Sequence, residues 1–182
     1  MTANNNRILR KEGFTLIELL IVIAILGTLA VVVLLALNPL QQLARTRDAG
    51  RQSAVTQLGH AIEAYATTRN GVYPTPNATW ITTLVNAGEI QVAPSTITFS
   101  VTTGNFGGNC TTNVQSGICY TSGAAGAAPA VVFASLESQA QNSRCAAGTV
   151  AWAVYSTAGG RGGIACSAGQ PTSAFDPATF LP

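Results

Sequence analysis

KEGFTLIELL, residues 11–20, takes a carboxylate into a stretch that otherwise reads as lipid-facing. Lys11 and Glu12 precede a bare Gly13. Glu18 then sits near the start of FTLIELLIVIAILGTLAVVVLLAL, residues 14–37, which carries no other charge. At about 1.5 Å per residue, the uncharged stretch 19–37 is long enough to cross a hydrocarbon core of about 30 Å. The run exceeds the apolar region of a secretory signal, about 7–15 residues, which argues against a cleaved signal peptide. Residues 1–13 are polar and basic, as expected of a segment held in the cytoplasm by the positive-inside rule.

Charge is scarce elsewhere. Only 9% of the 182 residues are Asp, Glu, Lys or Arg, and the net charge is +2. Arg7, Arg10 and Lys11 against Glu12 account for that excess. From Phe14 onward Arg45, Arg47, Arg51, Arg69, Arg144 and Arg161 balance Glu18, Asp48, Glu63, Glu89, Glu137 and Asp176. No basic face is available for phosphate neutralisation, so direct nucleic-acid binding is not expected. The single histidine, His60, reads as structural or exposed. With two aspartates, Asp48 and Asp176, and no Gly-x-Ser-x-Gly, there is no basis for naming catalytic residues, a metal site or a cofactor. The chain does not read as an enzyme.

The apolar run is interrupted at Asn38-Pro39. Proline removes a helical donor and disfavours helical geometry at the residue before it, so Pro39 marks a kink. An amphipathic segment, 38–69, continues from there. Leu40, Leu43 and Ala44 begin a stripe that Val55, Leu58, Ile62 and Tyr65 extend, while Arg45, Arg47, Asp48 and Arg51 are expected to lie mostly off it. Asn70-Gly71, with Pro74 and Pro76, stops the helix. Were 14–69 continuous, it would be a rod of about 80 Å. Residues 70–182 read differently. A short helix starts near Trp80, with Thr79 as its cap, and ends near Gly88. Strands are predicted at 96–102, 118–121, 130–136, 150–156 and 163–166, separated by glycine-rich turns and so most simply antiparallel. The expected fold is α+β, a long N-terminal helix packed on a small antiparallel sheet.

Cys110, Cys119, Cys145 and Cys166 contain no Cys-x-x-Cys pair, and zinc is unlikely with His60 so far upstream. Four cysteines on the side predicted to lie outside the membrane read as two disulfides. Of three pairings, Cys110–Cys119 and Cys145–Cys166 close the smaller loops and are favoured. Gly159-Gly160-Arg161-Gly162-Gly163 lacks the Lys-Ser/Thr ending of a phosphate loop and reads as a hairpin turn. Asn77-Ala78-Thr79 and Asn109-Cys110-Thr111 match the short glycosylation sequon.

KEGFTLIELLIVIAILG resembles the class III signal of type IV prepilins and type II secretion pseudopilins. The resemblance is close over residues 8 to 37, and Arg69-Asn70-Gly71-Val72-Tyr73-Pro74 also fits it. It implies a basic leader, 1–13, cut after Gly13 by a prepilin peptidase that then methylates the new N-terminus, Phe14. Glu18 matches the acidic residue of the family and Gly27 a mid-span glycine. A proline common in the family is replaced by Leu35, which moves the kink toward Pro39. The implied protein is a pilin-like subunit held in the cytoplasmic (inner) membrane and then polymerised with copies of itself by an assembly ATPase and platform proteins. The end product is an extracellular pilus or a periplasmic pseudopilus. Within it 14–37 forms the core, 38–69 continues the helix, and 70–182 forms a disulfide-stapled head. A pseudopilin of a secretion or competence system and a membrane-anchored binding module are the alternatives.

Overall fold

The computed structural model describes residues 13–96 and 110–182. The chain divides into two units, one running to Pro39 and the other from Leu40 to Pro182. The first contains α1 (Leu16–Leu37), in which no residue is buried. Its helical ladder stops at Asn38, which adopts a left-handed conformation with φ 41° and ψ 70°. Asparagine is among the few side chains that tolerate this region. Pro39, which has no N–H to satisfy, then opens α2 (Pro39–Thr67). The two helices are therefore separate segments.

In the second unit α2 buries Ala44, Asp48, Arg51, Val55, Leu58, Ile62 and Tyr65, at spacings of 4, 3, 4, 3, 4 and 3. This corrects the expectation that the charged residues lie off the stripe. Asp48 and Arg51 lie on it, each 1% exposed. An unpaired charge there would be strongly destabilising, and pairing removes the difficulty. Asp48 Oδ1 accepts from Arg51 Nη1 at 2.8 Å and from the Glu137 amide at 2.9 Å, and Oδ2 accepts from the Ser138 amide at 2.8 Å. The Glu137 carboxylate in turn pairs with Arg47 and, at 3.4 Å, with Arg51. Asn70 (φ 54°) and Gly71 (φ 82°) turn the chain after α2, the Gly71 amide donating to Ala66 O.

Next comes α3 (Trp80–Ala87), closed by left-handed Gly88. The Thr79 side chain makes no capping bond, contrary to expectation. Gln115 supplies it from a distant hairpin, its Oε1 accepting from the amides of Ile81 at 2.6 Å and Thr82 at 3.3 Å.

Among the described residues, β1 (Cys119–Ser122), β2 (Ala130–Ser135), β3 (Val150–Ser156) and β4 (Arg161–Ser167) form an antiparallel meander in chain order. The arrangement is α+β and pilin-like: a long apolar helix, then a second helix with a small sheet. The strand predicted at 96–102 lies outside the described residues apart from Thr96. β4 starts earlier than expected, with Gly162 and Gly163 inside the ladder opposite Tyr155 and Val154.

Strand alternation sorts the side chains onto two faces. Ala151, Ala153 and Tyr155 of β3, with Ala130, Val132 and Ala134 of β2, meet α2 and α3. Trp152 and Val154, with Val131 and Phe133, meet Cys110, Cys119, Phe175 and Phe180 on the other face. The many alanines on the helix side let α2 approach closely, and Gly59 sits directly over the Tyr155 ring, leaving no room for a Cβ. Burying each large apolar side chain is worth about 1.5–3 kcal/mol. A short helix, α4 (Gln139–Asn142), links β2 to β3. Its Asn142 amide group donates to Leu136 O and accepts from the Ala151 amide, both at 2.9 Å. Disulfides join Cys110 to Cys119 and Cys145 to Cys166.

Candidate functional site

Gly13, Phe14 and Thr15 precede the helix without regular structure, and Phe14 is 86% exposed. Thr15 has extended geometry (φ −80°, ψ 152°) and caps α1. Its hydroxyl oxygen accepts from the Glu18 amide at 3.3 Å, while Glu18 Oε2 accepts from the Thr15 amide and hydroxyl, both at 2.8 Å. This reciprocal capping box satisfies two orphan donors at the helix start. It also explains why the helix begins at Leu16 and not at Gly13. Thr15 had escaped the sequence reading, although the Thr-x-x-Glu spacing that announces such a box is plain in it.

The box engages one oxygen of Glu18. Oε1 has no hydrogen-bond partner among the described residues, and an ionised carboxylate accepts several donors. Among the described residues the acid is thus engaged through one oxygen only. Beyond it α1 presents exposed Leu, Ile and Val on every side. Its 22 residues are long and apolar enough to cross a membrane, by length and composition. A Cβ on Gly27 would meet nothing within 4 Å, and Thr28 bonds back to Ile25 O at 2.8 Å.

The sequence from Arg10 to Gly27 decides what this segment is. Residues 8–34 match the family described as the prokaryotic N-terminal methylation motif. They carry a class III prepilin signal. The class III signal is the one shared by type IV pilins and pseudopilins, and it supports a type IV pilin-like or pseudopilin protein. It implies processing by a prepilin peptidase and assembly into pilus-like polymers, and with α1 it fits an inner-membrane precursor. No curated protein and no solved structure significantly matches the chain.

Elsewhere the polar side chains serve the head. His60, its side chain 63% exposed, stands edge-on to Tyr155 with ring centroids 5.1 Å apart. The Tyr155 hydroxyl donates to Glu63 Oε2 at 2.8 Å and lies 3.2 Å from His60 Nδ1. Burial, reinforced by the Glu63 carboxylate, pushes the Tyr155 hydroxyl well above the usual phenol range. Tyr120 is raised by burial too. Its hydroxyl donates to Pro74 O at 2.9 Å and its ring stacks on Trp80. The Gly162-Gly163 pair admits Thr56 and Tyr155 on one side and the Phe180 ring on the other. Its glycines are a packing feature of β4.

Proposed function

We propose that this chain is the structural subunit of a type IV pilus, cut between Gly13 and Phe14 and polymerised through α1. The observation that carries the reading is Glu18, an acid at the head of an apolar helix with no buried residue, inside a class III prepilin signal. A charged side chain at the centre of a membrane helix costs on the order of 2.5–3.5 kcal/mol on insertion scales, and the cost falls toward the helix ends. Cleavage would turn the Phe14 nitrogen into an amine while leaving the Thr15 amide, and with it the capping box, intact. The free Glu18 oxygen could then receive the amine of a neighbouring subunit. Pairing removes the penalty at one axial stagger and not at others, which makes Glu18 a register device. Head-to-tail contacts of this kind do not close and so extend into a filament.

In this scheme 1–13 is the leader, 14–37 the membrane and then filament core, 38–69 the segment joining it to the head, and 70–182 the head. The break at Asn38-Pro39 gives the join a place to bend. The partners are a prepilin peptidase and methyltransferase, an assembly ATPase, platform proteins and further copies of the chain; the role is structural rather than catalytic. Mass analysis of the mature protein tests it. Methylated Phe14 at the N-terminus is expected, and Gly13→Ala should abolish it. An intact leader on the working form would overturn the reading in favour of a membrane-anchored module. Sheared surface fibres built of this chain separate a pilin from a pseudopilin, which shares the signal.

A further inference from the structure

Two Asn-x-Thr sequons occur in the chain, and the structure treats them differently. Between α2 and α3 the backbone is anchored at Pro74, whose carbonyl accepts from Tyr120, and at Trp80, fully buried. Asn77, Ala78 and Thr79 form an exposed arch between these anchors. Asn77 Oδ1 accepts from the Thr79 amide at 2.8 Å and the Thr79 hydroxyl at 3.0 Å. Its Nδ2 has no partner among the described residues. The side chain is therefore held with its carbonyl turned inward and its amide nitrogen available.

At the second sequon the central Cys110 is 2% exposed and bonded to Cys119. Thr111 is tied to a distant loop, its hydroxyl accepting from Gln170 Nε2 at 2.7 Å and its amide donating to Gln170 Oε1 at 2.9 Å. A transferase must thread the acceptor and its hydroxyl partner through its own site. A stapled and buried Cys110 stands against that at the second sequon, whereas Asn77, Ala78 and Thr79 are all exposed.

We propose that Asn77 is an N-glycosylation acceptor. The sugar comes from a lipid-linked glycosyl pyrophosphate. Asn77 Nδ2 bonds to the anomeric carbon as the carbon–oxygen bond to the pyrophosphate breaks. The electron pair leaves with the lipid pyrophosphate, and the displaced amide proton passes to a base of the transferase. The site requires the head to lie outside the cytoplasm and so rests on the function proposed above.

The test is intact and peptide mass analysis of the full chain from its own cells, reading the N-terminus and Asn77 together. Support is a glycan on Asn77 that is lost completely in Thr79→Ala and retained in Thr79→Ser. A bare Asn77 on a chain with methylated Phe14 would overturn the site while leaving the filament reading standing. A glycan on Asn77 of a chain that keeps its leader would support the site and sink the filament. Sugar at Asn109 in place of Asn77, or sugar that persists in Thr79→Ala, would also overturn it.

Discussion

α1 and α2 are consecutive helices with opposite relations to the rest of the chain. α1 buries none of its 22 residues; α2 threads a continuous stripe of its 29 into the head. Each carries one acid in an apolar setting, Glu18 by its place in the sequence and Asp48 by its burial. Asp48 is saturated within its own chain by Arg51 and two backbone amides. Glu18 has one oxygen, Oε1, that no described residue engages. A complete set of donors suits a group that holds a fold; in the function proposed above, the other Glu18 oxygen serves a neighbouring subunit. The glycines repeat the contrast: Gly59 is required by the Tyr155 ring and Gly27 by nothing among the described residues.

Exchanging the acids should give the largest difference. Asp48→Ala takes from Arg51 and the buried 137–138 amides the carboxylate they share and should destabilise the head by about 3–5 kcal/mol in denaturant unfolding. Glu18→Ala should leave that unfolding curve unmoved while impairing filament yield; a shared loss of stability would erase the contrast. Next come the disulfides, which belong to the head alone. Opening Cys145–Cys166 should lower head stability by roughly 3 kcal/mol. Being half-buried where Cys110 and Cys119 are buried, it should react with a thiol reductant first, as thiol-labelled peptides would reveal.

Gly59→Ala drives a methyl into Tyr155 and should destabilise by about 1–3 kcal/mol, measured by thermal melting. Gly27→Ala meets empty space, and the head's melting temperature should not change. The smallest effect is set by pH. The Tyr120 and Tyr155 hydroxyls are raised in the folded head, so their neutral form is favoured there. Their contribution is whole below the unfolded tyrosine pKa of about 10 and is lost as pH rises beyond it. Melting temperature should fall on the alkaline side and fall less in Tyr155→Phe.

Much of the fold was legible because its signals are local. Alternation in Ala151-Trp152-Ala153-Val154-Tyr155 places β3 without reference to any other strand, and Asn70-Gly71 ends α2 by its own backbone preference. The missed features depend on partners far along the chain. Asp48 and Arg51 looked solvated because polarity was read residue by residue; their burial follows from Glu137 and Ser138, about 90 positions away. Thr79 looked like a cap by position, but Gln115 reaches the amides first. Thr15 was the exception, since its box spans a single turn and the spacing alone announces it.

The residues read in order suffice for the membrane-length helix, the acid inside it, the glycine before it and the sheet-forming character of the second half. Each of these is a matter of composition or of spacing within one or two turns. Only the packing of the folded chain decided that Asp48 and Arg51 of α2 are core and that Gln115, not the Thr79 side chain, engages the start of α3. It also decided that one sequon is open while the other is stapled. The reason is that burial and the saturation of a polar atom are properties of what surrounds a residue, and those surroundings come from segments that meet only when the chain has folded.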